Sequence, residues 1–325
     1  MDALNTNSVK IYNVFKMIPK VLFNEPQAFI DYAHLTLKII KICYFGHKVP
    51  IYGSADITNA CNLKCNHCYW WENWRPSHEL SPEQWRTVVR ETFKKARIFR
   101  VALTGGEPLL RPEVIKIFNE ELHDKIVVVT NGTLPLIDFG GVKYYVSIDG
   151  TEKIHNIIRG PNVHKKVKKN VKEYRGNVVL NMTLNAVNCE CIEDVVKEWN
   201  KLATAMNFQF LTPFSLNDKL WVPFGEKRDE IIDRIVKLKE EYPDFFINTD
   251  KQLNLFRSNT WTKECPSWSV ISLDNLGQIK IPCCLGGIKQ PLCERCGMCE
   301  VTGIYAGLYQ NDLEWFKVYD TLRKC

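Results

Sequence analysis

A chain of 325 residues with a formal net charge of +6 can bury one large core or two modest ones. It has no low-complexity tract, no repeat of solenoid period and no arginine-rich segment, so no nucleic-acid partner is expected. The 13 cysteines are the unusual feature. The start, Met1-Asp2-Ala3-Leu4-Asn5, lacks the basic and apolar regions of a secretion signal, and no apolar run is long enough to span a bilayer. The cysteines cluster at short, metal-type spacings, which points to metal binding inside the cell rather than to disulfides. A cytoplasmic, oxygen-sensitive protein is the expectation.

Residues 1–50 read as an amphipathic helical extension. Apolar residues recur at helical spacing from Val9 to Phe23 and from Phe29 to Phe45, with Pro19 and Pro26 interrupting. Lys10, Lys16, Lys20, Lys38, Lys41 and Lys48 outnumber Asp2, Glu25 and Asp31 here. Such a face can lie on the inner surface of a membrane or pack against the following domain. From 51 to 242 strand and helix patterns alternate, the signature of βα units with a parallel sheet. Strands are expected near 51–58, 99–104, 126–130, 143–148, 178–185 and 207–212. Helices are expected near 81–96, 112–121, 152–173, 190–205 and 226–242. Ser81-Pro82-Glu83-Gln84 supplies an N-cap, a proline at the first helical position and a capping-box glutamine. Over 243–325 the helical periodicity fades and Cys265, Cys283, Cys284, Cys293, Cys296, Cys299 and Cys325 appear. This is a second, smaller, cysteine-rich module.

Two motifs carry chemistry. Cys61-Asn62-Leu63-Lys64-Cys65-Asn66-His67-Cys68 follows the first strand-like run. Three cysteines at this spacing can hold three irons of a [4Fe–4S] cluster and leave the fourth iron open to a small ligand. The alternative is a zinc site, with His67 as a further donor. Thr104-Gly105-Gly106-Glu107-Pro108 ends the second strand-like run. With both motifs in this order, the chain resembles the radical S-adenosylmethionine (radical SAM) superfamily.

That resemblance implies an α/β fold, a partial TIM-like barrel of six βα units with its chemistry at the C-terminal ends of the strands. It also implies a [4Fe–4S] cluster on Cys61, Cys65 and Cys68, S-adenosylmethionine (SAM), and a reductant such as ferredoxin or flavodoxin. Reductive cleavage of SAM would give a 5′-deoxyadenosyl radical that takes hydrogen from an unactivated C–H bond. Carried over by motif, Gly105, Gly106 and Glu107 receive the SAM amino group, while His67 and Tyr69 lie by the adenine. Thr130-Asn131-Gly132 shapes the pocket. Ser147-Ile148-Asp149-Gly150 and Ile158-Arg159-Gly160 match the pattern in which the serine and arginine hold the carboxylate, a group an arginine fork suits. Thr183 and Asn185 are candidates for the ribose hydroxyls, with core or turn roles as the alternative.

Cys265, Gly277, Cys283 and the Cys293-X2-Cys296-X2-Cys299 run resemble SPASM or twitch extensions, which carry auxiliary [4Fe–4S] clusters. One auxiliary cluster is expected, with ligands drawn from Cys265, Cys283, Cys293, Cys296 and Cys299, and with Cys284 in place of Cys283 as an alternative. A zinc ribbon is the other reading of this module. Cys189 and Cys191 follow the fifth strand at the barrel rim, as hydrogen-atom donors or as small buried hydrophobes. Cys43 reads as structural.

For the substrate, the basic N-terminal segment and an aromatic wall of Tyr69, Trp70, Trp71, Trp74, Phe208, Phe210, Phe214 and Trp221 suit an acyl or isoprenoid chain. Cys68-Tyr69-Trp70-Trp71 and Pro282-Cys283-Cys284-Leu285-Gly286-Gly287 resemble an archaeal group that includes lipid-remodelling enzymes of the calditol synthase type. The expected substrate is therefore a membrane lipid or its sugar-type headgroup, with C–C bond formation or rearrangement. The alternatives are a peptide or protein maturase and a non-catalytic zinc-binding scaffold.

Overall fold

The computed structural model describes residues 26–73, 78–287 and 289–316. Seven parallel strands form one sheet: β1 (Tyr52–Thr58), β2 (Arg100–Gly105), β3 (Ile126–Thr130), β4 (Lys143–Ser147), β5 (Val178–Leu184), β6 (Ala205–Phe210) and β7 (Val270–Leu273). Their spatial order is β6-β5-β4-β3-β2-β1-β7, so the sheet stays open, as a partial TIM barrel does. Runs such as Ile126-Val127-Val128-Val129 are near-continuous and β-branched, which suits strands of a parallel sheet under helical cover.

The helices are α1 (Pro26–Phe45), the short α2 (Trp70–Asn73), α3 (Pro82–Val89), α4 (Pro112–Leu122), α5 (Glu152–Arg159) and α6 (Val163–Glu173). They are followed by α7 (Ile192–Trp199), α8 (Glu226–Glu241), α9 (Asp250–Leu255) and α10 (Cys299–Tyr309). α3 starts on the expected capping box: the Gln84 amide donates to Ser81 Oγ at 3.3 Å and the Ser81 amide to Gln84 Oε1 at 2.8 Å. It continues into a π-helical turn, Arg90–Lys94.

The six strands expected from sequence form close to where they were placed, and three features differ. The single helix expected over 152–173 is two, because Gly160 takes a φ of +116° and Pro161 has no N–H to continue the ladder. α7 is shorter than 190–205, and β6 already begins at Ala205. The seventh strand, from the cysteine-rich portion, pairs in parallel with β1 through Tyr52–Val270 and Ala55–Leu273.

The main core lies between the sheet and the helices, around Trp85, Phe93, Phe118, Tyr144, Trp199 and Phe208. A second cluster covers the N-terminal ends of the first strands. Ala28, Tyr32, Leu35, Ile39 and Ile42, one face of α1, pack there with Tyr52, Phe99, Val270, Trp315 and Phe316. Lys38 folds the same way, its ammonium donating to the carbonyls of Pro50 at 2.6 Å, Ala96 at 2.8 Å and Arg97 at 2.9 Å. The apolar face that suggested a membrane surface is thus used for packing from Ala28 to Ile42. The first half of the extension, Val9 to Phe23, lies outside the described residues. No helix among the described residues is long and apolar enough to cross a membrane.

Candidate active site

The C-terminal ends of the strands are tied to one another by short polar links. After β2 the chain approaches the end of β1 so closely that a Cβ on Gly106 would sit 2.0 Å from the Ala60 carbonyl oxygen. The Gly106 amide donates to Thr58 O and the Glu107 amide to Ala60 O, both at 2.8 Å. This fixes the start of the Cys61–Cys68 loop against the glycine turn. The loop is held further along as well. Asn62 Oδ1 accepts from Asn131 Nδ2 at 2.8 Å, and Asn66 docks on the end of α5 through its amide to Ile158 O (2.9 Å) and its Nδ2 to Ile157 O (3.0 Å).

Glu107 is fully buried and does not reach the cavity. Its carboxylate accepts from Thr130 Oγ1 at 2.7 Å, the Asn131 amide at 2.8 Å and the Leu109 amide at 3.0 Å. It is a clamp between β2 and β3. Asp149 is likewise buried behind the wall. Its Oδ2 meets Arg159 Nε at 2.5 Å and lies 3.6 Å from His67 Nε2. Burial pushes the Asp149 carboxyl up, but the charges of Arg159 and the neighbouring histidines win and hold it below its ordinary value. Arg159 also brings Nη1 to 3.9 Å from Cys65 Sγ.

Between these groups lies a cavity of about 410 Å³. Cys61, Cys65, Cys68, His67, Tyr69, Gly105, Gly106, Thr130, Asn131, Ser147, Arg159 and Thr183 all line it. Besides Glu107 and Asp149, three further expected site residues do not. Asn185 is spent on a turn, its Oδ1 accepting from the Val187 amide at 2.9 Å and its Nδ2 donating to Thr183 O at 3.2 Å. Cys189 is fully buried in the main core, and Cys191 turns its thiol to Asn188 O at 3.3 Å. Neither thiol faces the cavity, so the hydrogen-donor expectation for both is corrected. The aromatic wall is also incomplete: Tyr69, Phe210 and Phe214 line the cavity, while Trp70 donates to Asn59 O at 3.2 Å and Phe208 belongs to the core. Trp74 lies outside the described residues.

The opposite wall comes from β5, β6 and the cysteine-rich segment. Asn207 Nδ2 donates to Asn181 Oδ1 at 2.6 Å, and Gln209 Nε2 to Thr183 Oγ1 at 3.0 Å. The segment docks at both edges of the barrel mouth. At β6, the Phe210 amide donates to Gly297 O at 3.0 Å and the Gly297 amide to Thr212 Oγ1 at 2.9 Å. At β1, buried Lys280 meets Asp56 Oδ2 at 2.5 Å and also donates to the Cys284 carbonyl.

The ligands of one auxiliary cluster are expected among Cys265, Cys283, Cys293, Cys296 and Cys299. Burial raises the thiols of Cys265, Cys293 and Cys296, and each also feels the charge on Cys283. Cys284 donates its S–H to Cys283 and thereby lowers that thiol to about 7. Cys299 accepts from Asn207 Nδ2 at 3.2 Å and donates to Gln209 Oε1 at 3.4 Å on the cavity wall. Cys325 lies outside the described residues.

All described cysteines are free thiols. In the first loop burial raises Cys61 and Cys65 and pushes Cys68 up to about 11, so a metal is what would make them thiolates. Among the described residues, no three histidine, cysteine or acidic side chains converge closely enough to hold a single ion. Zinc needs its donors on one tetrahedron, whereas a cluster gives each thiolate its own iron. The three thiols of the first loop suit three irons of a cluster, with the fourth iron left open.

Residues 56–198 match the family profile of the Radical SAM superfamily. The sporulation killing factor maturation protein SkfB of Bacillus subtilis (strain 168) is 32% identical over 167 residues, 46% of this chain and 40% of that protein. The antilisterial bacteriocin subtilosin biosynthesis protein AlbA of the same strain is 26% identical over 151 residues, 44% of this chain and 26% of that protein. A probable GTP 3′,8-cyclase of Archaeoglobus fulgidus is 33% identical over 120 residues, covering 34% of this chain and 40% of that protein. The match thus spans 40% or less of these relatives' lengths. Among solved structures, Streptococcus suis SuiB bound to its precursor peptide SuiA superposes with a TM-score of 0.60 at 16% identity, covering 92% of this chain and 72% of that one. The likeness establishes the shared fold.

Proposed function

We propose that this chain, whose residues 56–198 match the Radical SAM superfamily profile, is a peptide-modifying radical SAM enzyme. The observation that carries the reading is the convergence of Cys61, Cys65 and Cys68 with Arg159 and the Gly105-Gly106 turn on one cavity. When bound, the cluster and SAM supply a radical able to remove hydrogen from an unactivated carbon. In this reading the three loop cysteines hold the cluster. The Arg159 guanidinium, oriented by Asp149, presents a fork to the SAM carboxylate. The backbone at Gly105 and Gly106 takes the amino group, and His67, Tyr69, Ser147 and Thr183 surround the remainder. Asn62, Asn131 and Glu107 keep the loop in place. Cys265, Cys283, Cys293 and Cys296 hold the auxiliary cluster of the module from 243 onward. An external donor such as ferredoxin or flavodoxin supplies electrons.

Three observations favour a peptide over a lipid. SkfB and AlbA are named for maturing a killing factor and building a bacteriocin. The wall facing the SAM side is polar, built of Asn181, Asn207 and Gln209, with Asn207 bonded to Asn181 and Gln209 to Thr183, and so suits a polar chain better than an acyl chain. Part of the aromatic wall and the described apolar face of α1, the two features that suggested a lipid, are used elsewhere in the fold. The test is 5′-deoxyadenosine formation by the reconstituted protein with peptide, lipid and nucleotide fractions of the source cell, read together with mass changes in each. Stimulation by the peptide fraction, with a peptide of altered mass, is expected. Stimulation confined to the lipid or nucleotide fraction would overturn the peptide assignment.

A further inference from the structure

The acids around the cavity have partners, with one exception. Asp56 has Lys280 and Thr104, Glu107 has three donors, Asp149 has Arg159, and Asp218 Oδ1 accepts from the Leu220 amide at 2.9 Å. Glu300, at the start of α10, lines the cavity between Cys299 and Cys284, and no hydrogen bond or ion pair of the described residues reaches its carboxylate. We infer that Glu300 is the specificity anchor for a cationic group of the substrate, a lysine or arginine side chain or an amino terminus. The inference rests on the reading of this cavity as the substrate site.

The physical argument is one of missing charge. A carboxylate taken out of water is costly unless a donor or cation compensates it. Glu300 is partly buried in the cavity wall, and no lysine or arginine of the described residues forms an ion pair with it. Among the described residues no cationic side chain compensates it at this point of the wall, and a cationic substrate would do so. Nearby Gln209 and Asn207 are engaged with Cys299, Thr183 and Asn181. They frame the position without neutralising it.

The experiment uses the reconstituted holoenzyme and three probes of similar shape: n-butylguanidinium, n-butylammonium and n-butanol, titrated by ligand-observed NMR. Both cations are expected to bind about tenfold or more tightly than the alcohol, the scale of one charge-assisted hydrogen bond. Glu300→Gln is expected to abolish that preference, and Glu300→Asp to keep part of it. Asp218→Asn, at the other acid of the wall, should leave it in place. Equal binding of cation and alcohol by the unsubstituted protein, or a cation preference that survives Glu300→Gln, would overturn the inference. SAM cleavage is recorded on the same preparation. Failure to cleave refutes the parent reading, whereas cleavage without a cation preference refutes the Glu300 anchor alone.

Discussion

Asp149→Asn removes the negative member of a buried ion pair that orients Arg159 toward the cavity. In the native protein Asp149 is fully buried, its Oδ2 is 2.5 Å from Arg159 Nε, and its Oδ1 accepts from the Thr183 amide at 3.4 Å. Asparagine keeps an oxygen for that amide but leaves the guanidinium with Cys65 Sγ, 3.9 Å away, as its remaining partner among these. Breaking one side of a buried pair costs about 3–5 kcal/mol, and the retained oxygen places this substitution near the lower figure, about 3 kcal/mol. The assay is urea unfolding of the iron-free protein under reducing conditions, followed by circular dichroism. With a slope of about 3 kcal/mol per molar or more for a chain of this size, the midpoint should fall by up to about 1 M. Adding Arg159→Leu should restore at least half of the loss, because the uncompensated charge is gone. A single-variant loss below about 1 kcal/mol, or a double variant as unstable as the sum of both singles, would refute the reasoning. The pH dependence has a definite sign. Asp149 is held below its ordinary carboxyl value in the folded state, so its contribution is present above about pH 4 and fades as the pH falls through the folded value. The gap between native and variant should close in acid.

Gly106→Ala would press a methyl group onto the Ala60 carbonyl. We expect about 3 kcal/mol or more of destabilisation, and an unchanged melting temperature would contradict the close approach. Iron analysis should separate the cysteines of the second set: Cys293→Ser should take the reconstituted protein from about eight irons per chain toward four, while Cys299→Ser leaves the count unchanged. An equal loss from both would place Cys299 among the ligands. Lys280→Met removes the cation that ties Asp56 and the Cys284 carbonyl together. Faster amide exchange over residues 279–286 should follow, and unchanged exchange there would show that the segment docks without it.

Much of the fold was legible because its signals are local. Ile126-Val127-Val128-Val129 announces a buried parallel strand, and Ser81 with Gln84 announces a helix start. The cysteine loop and the Gly-Gly-Glu-Pro turn fall at strand ends for the same reason. β7 was not legible, since four residues carry no period and owe their place to β1. Side-chain direction was equally hidden. Glu107 and Asp149 sit in the motifs expected to meet SAM, yet the fold turns both carboxylates behind the wall to hold its parts. Cys189 and Cys299 show the converse. The first follows a strand and points into the core, while the second sits in a run spaced for metal and faces the cavity. Nothing in the sequence marks Glu300, which meets the cavity only through the placement of α10 in the fold.

The central claim, that Cys61, Cys65 and Cys68 form a SAM-cleaving centre, is tested most directly by counting 5′-deoxyadenosine from the anaerobically reconstituted protein supplied with SAM and a strong reductant. The native protein should form it, and Cys61→Ala, Cys65→Ala and Cys68→Ala should each abolish it. Formation at the native rate by any of the three variants would contradict the account.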